Sequence, residues 1–461
     1  MAVKKMKISI EDRIEKLSQL ANSNDVIANE LFEKHKVFRG LRDNNGVGVV
    51  TGLTEISEIN AFRKDEEGNR IPIEGELFYR GVNIYELVSG YKKERRYGFE
   101  ETAYLLLCGK LPTEKELEEF NELLLINRDL PDSFVRDVIL KAPPKDMMNA
   151  LSRCILTLYS YDANADDTTI KNVFKQTLQL IALTPIIAVY SYQAYKHYHE
   201  RKNLVIRYPK PELSIAENIL YMLKGTGKYT KEQAYMLDIC LILHAEHGGG
   251  NNSTFTTHVV TSSGTDTYSA ISASLGSLKG PKHGGANIKV VQMFEDIKNN
   301  LTDFSDEAIC DYLAKLLDKE AFDNSGLIYG MGHAIYSLSD PRANILHSCV
   351  KEYVDKGQCK DEEDDKDYVL YEKIAELGPK VILNRRKLFK DLSVNVDYYS
   401  GFLYKLLRIP EELFTPIFAI ARMAGWTAHR LEELTNKGKI IRPAYIAVAE
   451  RQEYVDIKDR K

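Results

Sequence analysis

Residues 230–258 read TKEQAYMLDICLILHAEHGGGNNSTFTTH, an apolar segment that runs into three histidines, a carboxylate and a triple glycine. Thr230 with Gln233 three residues on makes a capping box. Met236, Ile239, Cys240 and Leu243 then form one apolar stripe, which His247 extends before Gly248 stops the helix. That spacing turns His247 inward, with His244 one turn behind it. So dense a cluster has three readings: a metal site, a catalytic site, or a helix end rich in histidine.

The helical period recurs along the chain. IEDRIEKLSQL, ETAYLLL, TEKELEEFNELLLI, DEAICDYLAKLLD, DYVLYEKIAEL and TPIFAIARMAGWTAHRLEEL all place apolar residues three and four apart, between short Gly, Pro and Asn breaks. The chain is therefore expected to be all-α. NGVGVVTGLTEISEINAF and GELFYRGVNI, rich in β-branched residues and glycine, predict a few short strands between Gly46 and Ile84. The charge run KDEEDDKD, Lys360 to Asp367, reads as a solvated loop between helices.

Composition excludes several classes of function. With 461 residues, 44% of them hydrophobic, the chain can build two or three domains. A net charge of -5 disfavours nonspecific adhesion to nucleic acid or to an anionic membrane, so any anionic ligand must be held by local arginines. No apolar run approaches the roughly 20 residues of a membrane span, and LQLIALTPIIAVYSY, broken by Pro185, reads as a buried helix. The six cysteines follow no repeated spacing and read as reduced thiols. With an N-terminus that carries early acidic residues and no long apolar stretch, this predicts a cytoplasmic protein.

The histidine cluster lacks an H-E-x-x-H motif and paired cysteines, so no metal is expected there. There is no G-x-S-x-G elbow for a nucleophile, and GTGKYT does not make a phosphate loop. More informative positions lie downstream. In SLKGPKHGGANIKV, His283 stands on a loop after a helix of small residues, free to face a ligand. In GLIYGMGHAIYSLSDPRANIL, glycines at 326, 330 and 332 open the backbone ahead of His333. Asp340 caps the next helix with Pro341 in its first turn, which leaves Arg342 against the helix dipole: either it meets an anion or it forms an ordinary salt bridge. In SVNVDYYSG, Asp397 sits among apolar and aromatic residues, as a buried general base or as a helix cap. Arg422 interrupts an apolar helix face and Arg442 follows two isoleucines, and an arginine in an apolar setting needs a partner.

Taken in order, HAEHGGGNNSTFTTHVV, LKGPKHGGAN, GMGHAIYSLSDPRA, NVDYYSG, ARMAGWTAH and IRPAY resemble the active-site segments of the citrate synthase family. GLTEIS, FYRGVNIYEL and ETAYLLLCGKLPTEKEL resemble its N-terminal half, so the likeness runs from Arg39 to Ala447. It implies an acyltransferase that condenses acetyl-CoA with oxaloacetate and water to citrate and CoA, with no permanently bound cofactor and no metal. His283, His333 and Asp397 would be catalytic. His247, Arg342, Arg422 and Arg442 would bind oxaloacetate, Arg442 reaching in from the second subunit of a homodimer. Arg39, Ile328, Gly330, Gly332 and Asn395 would contact CoA. Ser337 stands where relatives carry Lys or Arg, whereas Ala334 and His258 are variants found in the family. The implied architecture is a large domain (1–287 and 393–461) and a small domain (288–392) that closes over the substrates. Two further readings stay open: a 2-methylcitrate synthase using propionyl-CoA, and a non-catalytic binding protein of the same shape. A citryl-CoA-cleaving variant is disfavoured, since no lyase module is fused to the chain.

Overall fold

The computed structural model describes residues 9–43, 47–333, 335–359, 361–387 and 392–460. Helices account for most of them. The chain through Thr51 forms a small unit of its own. It holds α1 (Ile10–Asn24), started by a reciprocal Ser9–Asp12 capping box, and α2 (Asn29–Lys34). Ile10, Ile14, Leu17 and Leu20 on α1 are exposed.

The second unit, Gly52–Lys461, opens with an antiparallel sheet in the order β1 (Ser57–Lys64), β2 (Arg70–Tyr79), β3 (Val82–Asn83). These are the strands expected after Gly46, a residue outside the described set. Helices follow: α3 (Ile84–Glu94), α4 (Phe99–Cys108), α5 (Glu114–Ile126), α6 (Met147–Leu158), α7 (Ile170–Glu200), α8 (Ile215–Lys224) and α9 (Lys231–His244). Beyond these come α10 (Asn252–Thr261), α11 (Thr267–Lys279), α12 (Ala286–Asn300), α13 (Asp306–Leu317), α14 (Pro341–Asp355), α15 (Glu362–Arg386), α16 (Val396–Leu406) and α17 (Phe414–Thr435).

Helix α17 is the axis of this unit. Every residue from Phe414 to Leu431 is buried, and the helix touches α4, α6, α7, α9, α10, α11 and α12. A helix buried on every face is enclosed on all sides, and its charged residues, Arg422 and Arg430, then need partners inside the fold. Helix α7 is the other long core element: it is long and apolar enough to cross a membrane, yet 83% of its most apolar window is buried inside the fold. Pro185 lies within α7 without ending it. After α17 the chain continues from Lys437 to Arg460 as a tail exposed except at the half-buried Ile441.

Two local expectations change. The acidic run does not form a loop: Asp361 caps α15, and Glu362, Glu363, Asp364 and Asp365 fill its first turn, where carboxylates oppose the positive end of the helix dipole. Asp364 and Asp367 are buried, paired with Arg408 and with Lys298 and Lys405. Lys360 is outside the described residues. Helix α9 also stops at His244 rather than running to His247. The Tyr79 phenol of β2 lies 3.0 Å from the carbonyl oxygens of Ile242 and Glu246 and 3.4 Å from that of Leu243, and so caps the end of the helix from another element.

Candidate active site

The turn that follows α9 puts its polar groups to work at once. Glu246 is fully buried and its Oε1 accepts hydrogen bonds from Gly248 N (2.5 Å) and from Ser57 Oγ (3.0 Å). It also lies 3.0 Å from His429 Nε2 on α17. Burial alone would raise this carboxyl, but the His429 imidazolium and the Arg422 guanidinium outweigh it and hold the group down to about 2. A β-carbon on Gly425 would collide with Ala245 O and Glu246 Oε2, so α17 approaches the turn as closely as backbone allows.

With the turn pinned, His247 points into a cluster. Its ring lies 5.1 Å from that of His333 and 5.6 Å from that of Tyr336, and its Nε2 is buried without a hydrogen bond. Burial, with Arg342 next, pushes its pKa well below the ordinary histidine value, so the ring is neutral. His333 Nδ1 accepts from the backbone N–H groups of Ile335 and Tyr336, both at 3.1 Å. Arg342 Nη2, which can only donate, lies 3.4 Å from His333 Nε2, so both ring nitrogens face donors.

Arg342 carries the salt bridge that its sequence position left open. Its Nε and Nη2 donate to the Asp340 carboxylate at 3.1 and 2.8 Å, and Asp340 also accepts from Val396 N at 3.2 Å. One buried carboxylate thus ties α14 to the start of α16. Arg422 differs. Its Nε donates to His244 O (2.8 Å) and its charge lies 4.9 Å from the centre of the Phe418 ring, but Nη1 and Nη2 are buried with no partner. Burial lowers its pKa to about 10, and it stays a cation at neutral pH.

His283 and Asp397 complete the group. The His283 ring stands 6.3 Å from that of Phe418, and its Nε2 is 3.0 Å from Ser253 Oγ. Trp426 Nε1 donates to the same oxygen (3.1 Å), leaving its hydroxyl hydrogen for either His283 Nε2 or Asn251 Oδ1. Burial, then the nearby Arg422 charge, lowers the His283 pKa to about 4. Asp397 enters α16 with Asn395 as N-cap (3.0 Å), and its Oδ1 is buried without a partner. Burial raises its pKa to about 7, against the pull of Arg342 and Arg422 and with the push of Asp340.

The segment Ile328–Gly332 runs alongside. Gly332 N donates to Ser393 O (2.8 Å), Asn395 N to Gly330 O (2.9 Å) and Asn395 Nδ2 to Gly332 O (2.8 Å). Gly330 and Gly332 have φ of 82° and 81°, and a β-carbon at 330 would strike the Tyr398 ring, so both features of this turn require glycine. Ser337, where a cation was expected by family pattern, is buried. Ala334 lies outside the described residues. Arg39 belongs to the first unit, where it donates to Asn29 Oδ1 (3.1 Å) and sits over the Phe32 ring. Arg442 is exposed on the C-terminal tail, next to Ile441, whose N–H donates to Ser262 Oγ (3.0 Å). Tyr79, Ser253, Trp426 and His429 support the cluster and carried no sequence signal of their own beyond polarity in apolar segments, whereas Glu246 stood in the histidine-rich stretch without a role of its own.

Neutral imidazoles at His247 and His283, a buried cation lacking an anion and a carboxyl titrating near neutrality are together what proton transfer on a small anionic substrate requires. The family model for the citrate synthase C-terminal domain matches residues 45–444. A citrate synthase from Deinococcus radiodurans is 37% identical over 84% of this chain and 94% of its own length. A 2-methylcitrate synthase from Corynebacterium glutamicum is 32% identical over 86% and 92%. Among solved structures, citrate synthase from Thermotoga maritima superposes with a TM-score of 0.71 at 30% identity, covering 92% of this chain and 99% of that one. The ternary complex of the Thermoplasma acidophilum enzyme with carboxymethyl coenzyme A and oxaloacetate gives 0.72 at 26% identity, with the same coverage. The chain belongs to the citrate synthase family, and it is accordingly a transferase of the acyltransferase kind.

Proposed function

We propose that the chain condenses acetyl-CoA with oxaloacetate and water to give citrate and CoA, the entry step of the tricarboxylic acid cycle. The observation that carries this reading is Arg422. A guanidinium buried with two unpartnered terminal nitrogens needs a counter-ion, and a carboxylate fits that planar pair of donors. Oxaloacetate brings two carboxylates. Arg422, Arg342 and His247 receive them, joined in a homodimer by Arg442 of the partner subunit.

The chemistry follows from the proton positions. Asp397, with its pKa near 7, takes a proton from the methyl carbon of acetyl-CoA. The electron pair moves to the thioester oxygen, which His283 Nδ1–H stabilises when Ser253 donates to Nε2. The resulting enol carbon attacks the ketone carbon of oxaloacetate, and the ketone oxygen receives its hydrogen from His333. Water then cleaves the thioester of citryl-CoA, releasing citrate and CoA. The small domain, 288–392, closes during this sequence and keeps water from the enol. CoA lies along Ile328, Gly330, Gly332 and Asn395. The reaction needs no resident cofactor and no catalytic metal, and the six free thiols suit a cytoplasmic location.

The test is thiol release from acetyl-CoA on adding oxaloacetate, which this reading requires and which a folded but silent protein would refute. The relative named 2-methylcitrate synthase supports a second reading, since one methylene in a pocket is worth only about 1–3 kcal/mol. Rates with propionyl-CoA beside acetyl-CoA separate the two.

A further inference from the structure

We propose that His258, His429 and Glu432 bind a divalent cation of the zinc type, at a site separate from the substrate cluster and without a part in the condensation. His258 Nε2 and His429 Nδ1 face each other at 3.1 Å, and Glu432 Oε2 lies 3.7 Å from the latter. All three ligand atoms fall within 4.8 Å of one another. Two nitrogens bound to one tetrahedral zinc at about 2.0–2.1 Å stand roughly 3.3 Å apart, so the pair of rings is already spaced for the ion. Glu432 Oε1 is occupied by Glu55 N–H at 2.7 Å, whereas Oε2 is buried with no hydrogen bond and its side chain is only 10% exposed.

The far nitrogens strengthen the case. His429 Nε2 is held by Glu246 Oε1 at 3.0 Å and His258 Nδ1 by Glu433 Oε2 at 2.9 Å. Each imidazole therefore turns one nitrogen to the common point and rests the other on a carboxylate, the outer arrangement that orients metal-ligating histidines. Gly249 passes beside both rings with no side chain to fill the approach, which leaves room for a water as fourth ligand. On binding, the ion replaces the hydrogen shared by the two facing nitrogens, and that proton leaves to solvent. Helix α10 and helix α17 would then be fastened together behind the turn that carries Glu246 and His247.

The experiment uses the untagged full chain, stripped with chelator, then titrated with Zn²⁺ by calorimetry and with Co²⁺ by visible absorption. One ion per chain, with the intense visible bands of tetrahedral cobalt, is expected. Glu433→Gln should weaken binding by about tenfold or more while the fold, checked by circular dichroism, is retained. His258→Gln should abolish the cobalt bands. Binding below one ion per chain in the wild type, or cobalt spectra unchanged in His258→Gln, would overturn the proposal. Neither readout depends on catalytic activity, so failure here leaves the condensation reading untouched.

Discussion

Two polar regions meet at Glu246, and they are finished to different degrees. On the α17 side, Glu246, His429, His258 and Glu433 form an unbroken chain of contacts at 2.9–3.1 Å. On the other side, His247 Nε2, Arg422 Nη1 and Nη2 and Asp397 Oδ1 are buried with no partner. An unsatisfied buried polar group costs about 1–3 kcal/mol, more when charged. The less finished side therefore stores a cost that an anionic ligand can relieve, while the α17 side, paired along its chain of rings, leaves only the carboxylate oxygens Glu246 Oε2 and Glu432 Oε2 open.

That contrast can be broken most severely at Asp397. Asp397→Asn removes the base and should lower kcat by about 10²–10⁴-fold in the thiol-release assay, with KM for oxaloacetate little changed. The same change should raise the thermal midpoint at pH 8. A carboxyl whose folded pKa lies above its unfolded value contributes stability that is present below the unfolded value near 3.8 and is lost as pH rises through about 7. Asparagine has no charge to bury, so a fall in midpoint would contradict the burial assigned to this group.

Arg422→Gln comes next. Losing a charge-assisted contact of about 1.5–3 kcal/mol should raise KM for oxaloacetate by roughly 10–100-fold, and unchanged KM would detach this guanidinium from the substrate. A pH profile sharpens the same side: kcat/KM should climb through pH 7 as Asp397 loses its proton. His283, lowered to about 4, stays neutral over that range.

Ser253→Ala tests the support behind His283. It strands the Trp426 N–H and frees the His283 tautomer, so about tenfold in kcat and about 1–3 kcal/mol in stability should go together. The smallest effect belongs to the finished side. In metal-free protein, His258→Gln should cost about 1 kcal/mol by denaturant unfolding and leave KM for oxaloacetate unchanged.

How much of this could be read from the residues varies with how local the cause is. The strands, the helical majority and the capping box at Thr230 depend on neighbours a few residues apart, and they form as expected. Arg422 was legible because a lone charge on an apolar face demands a partner, and the demand is what the fold leaves open. Arg342 was half legible: its partner, Asp340, sits two residues away, but nothing local says that Val396 N shares the same carboxylate. The end of α9 was misread because Gly248 suggested a stop, while the phenol that ends the helix early comes from Tyr79, more than 160 positions upstream. His258 and His429 are 171 positions apart, and nothing in the spacing of His244, His247 and His258 hints at their meeting.

Gly425 has a consequence for how this chain can vary. Arg422, Trp426 and His429 lie along one face of α17, so the helix works as a ruler laid across the pocket, and the contact at Gly425 fixes its zero mark. Inserting one residue between 422 and 429 would rotate the lower marks by about 100° and divorce the finished region from the unfinished one. Insertions beyond Arg442 move no mark on this helix. Descendants of this sequence are thus free to lengthen at the tail, while α17 must keep its count.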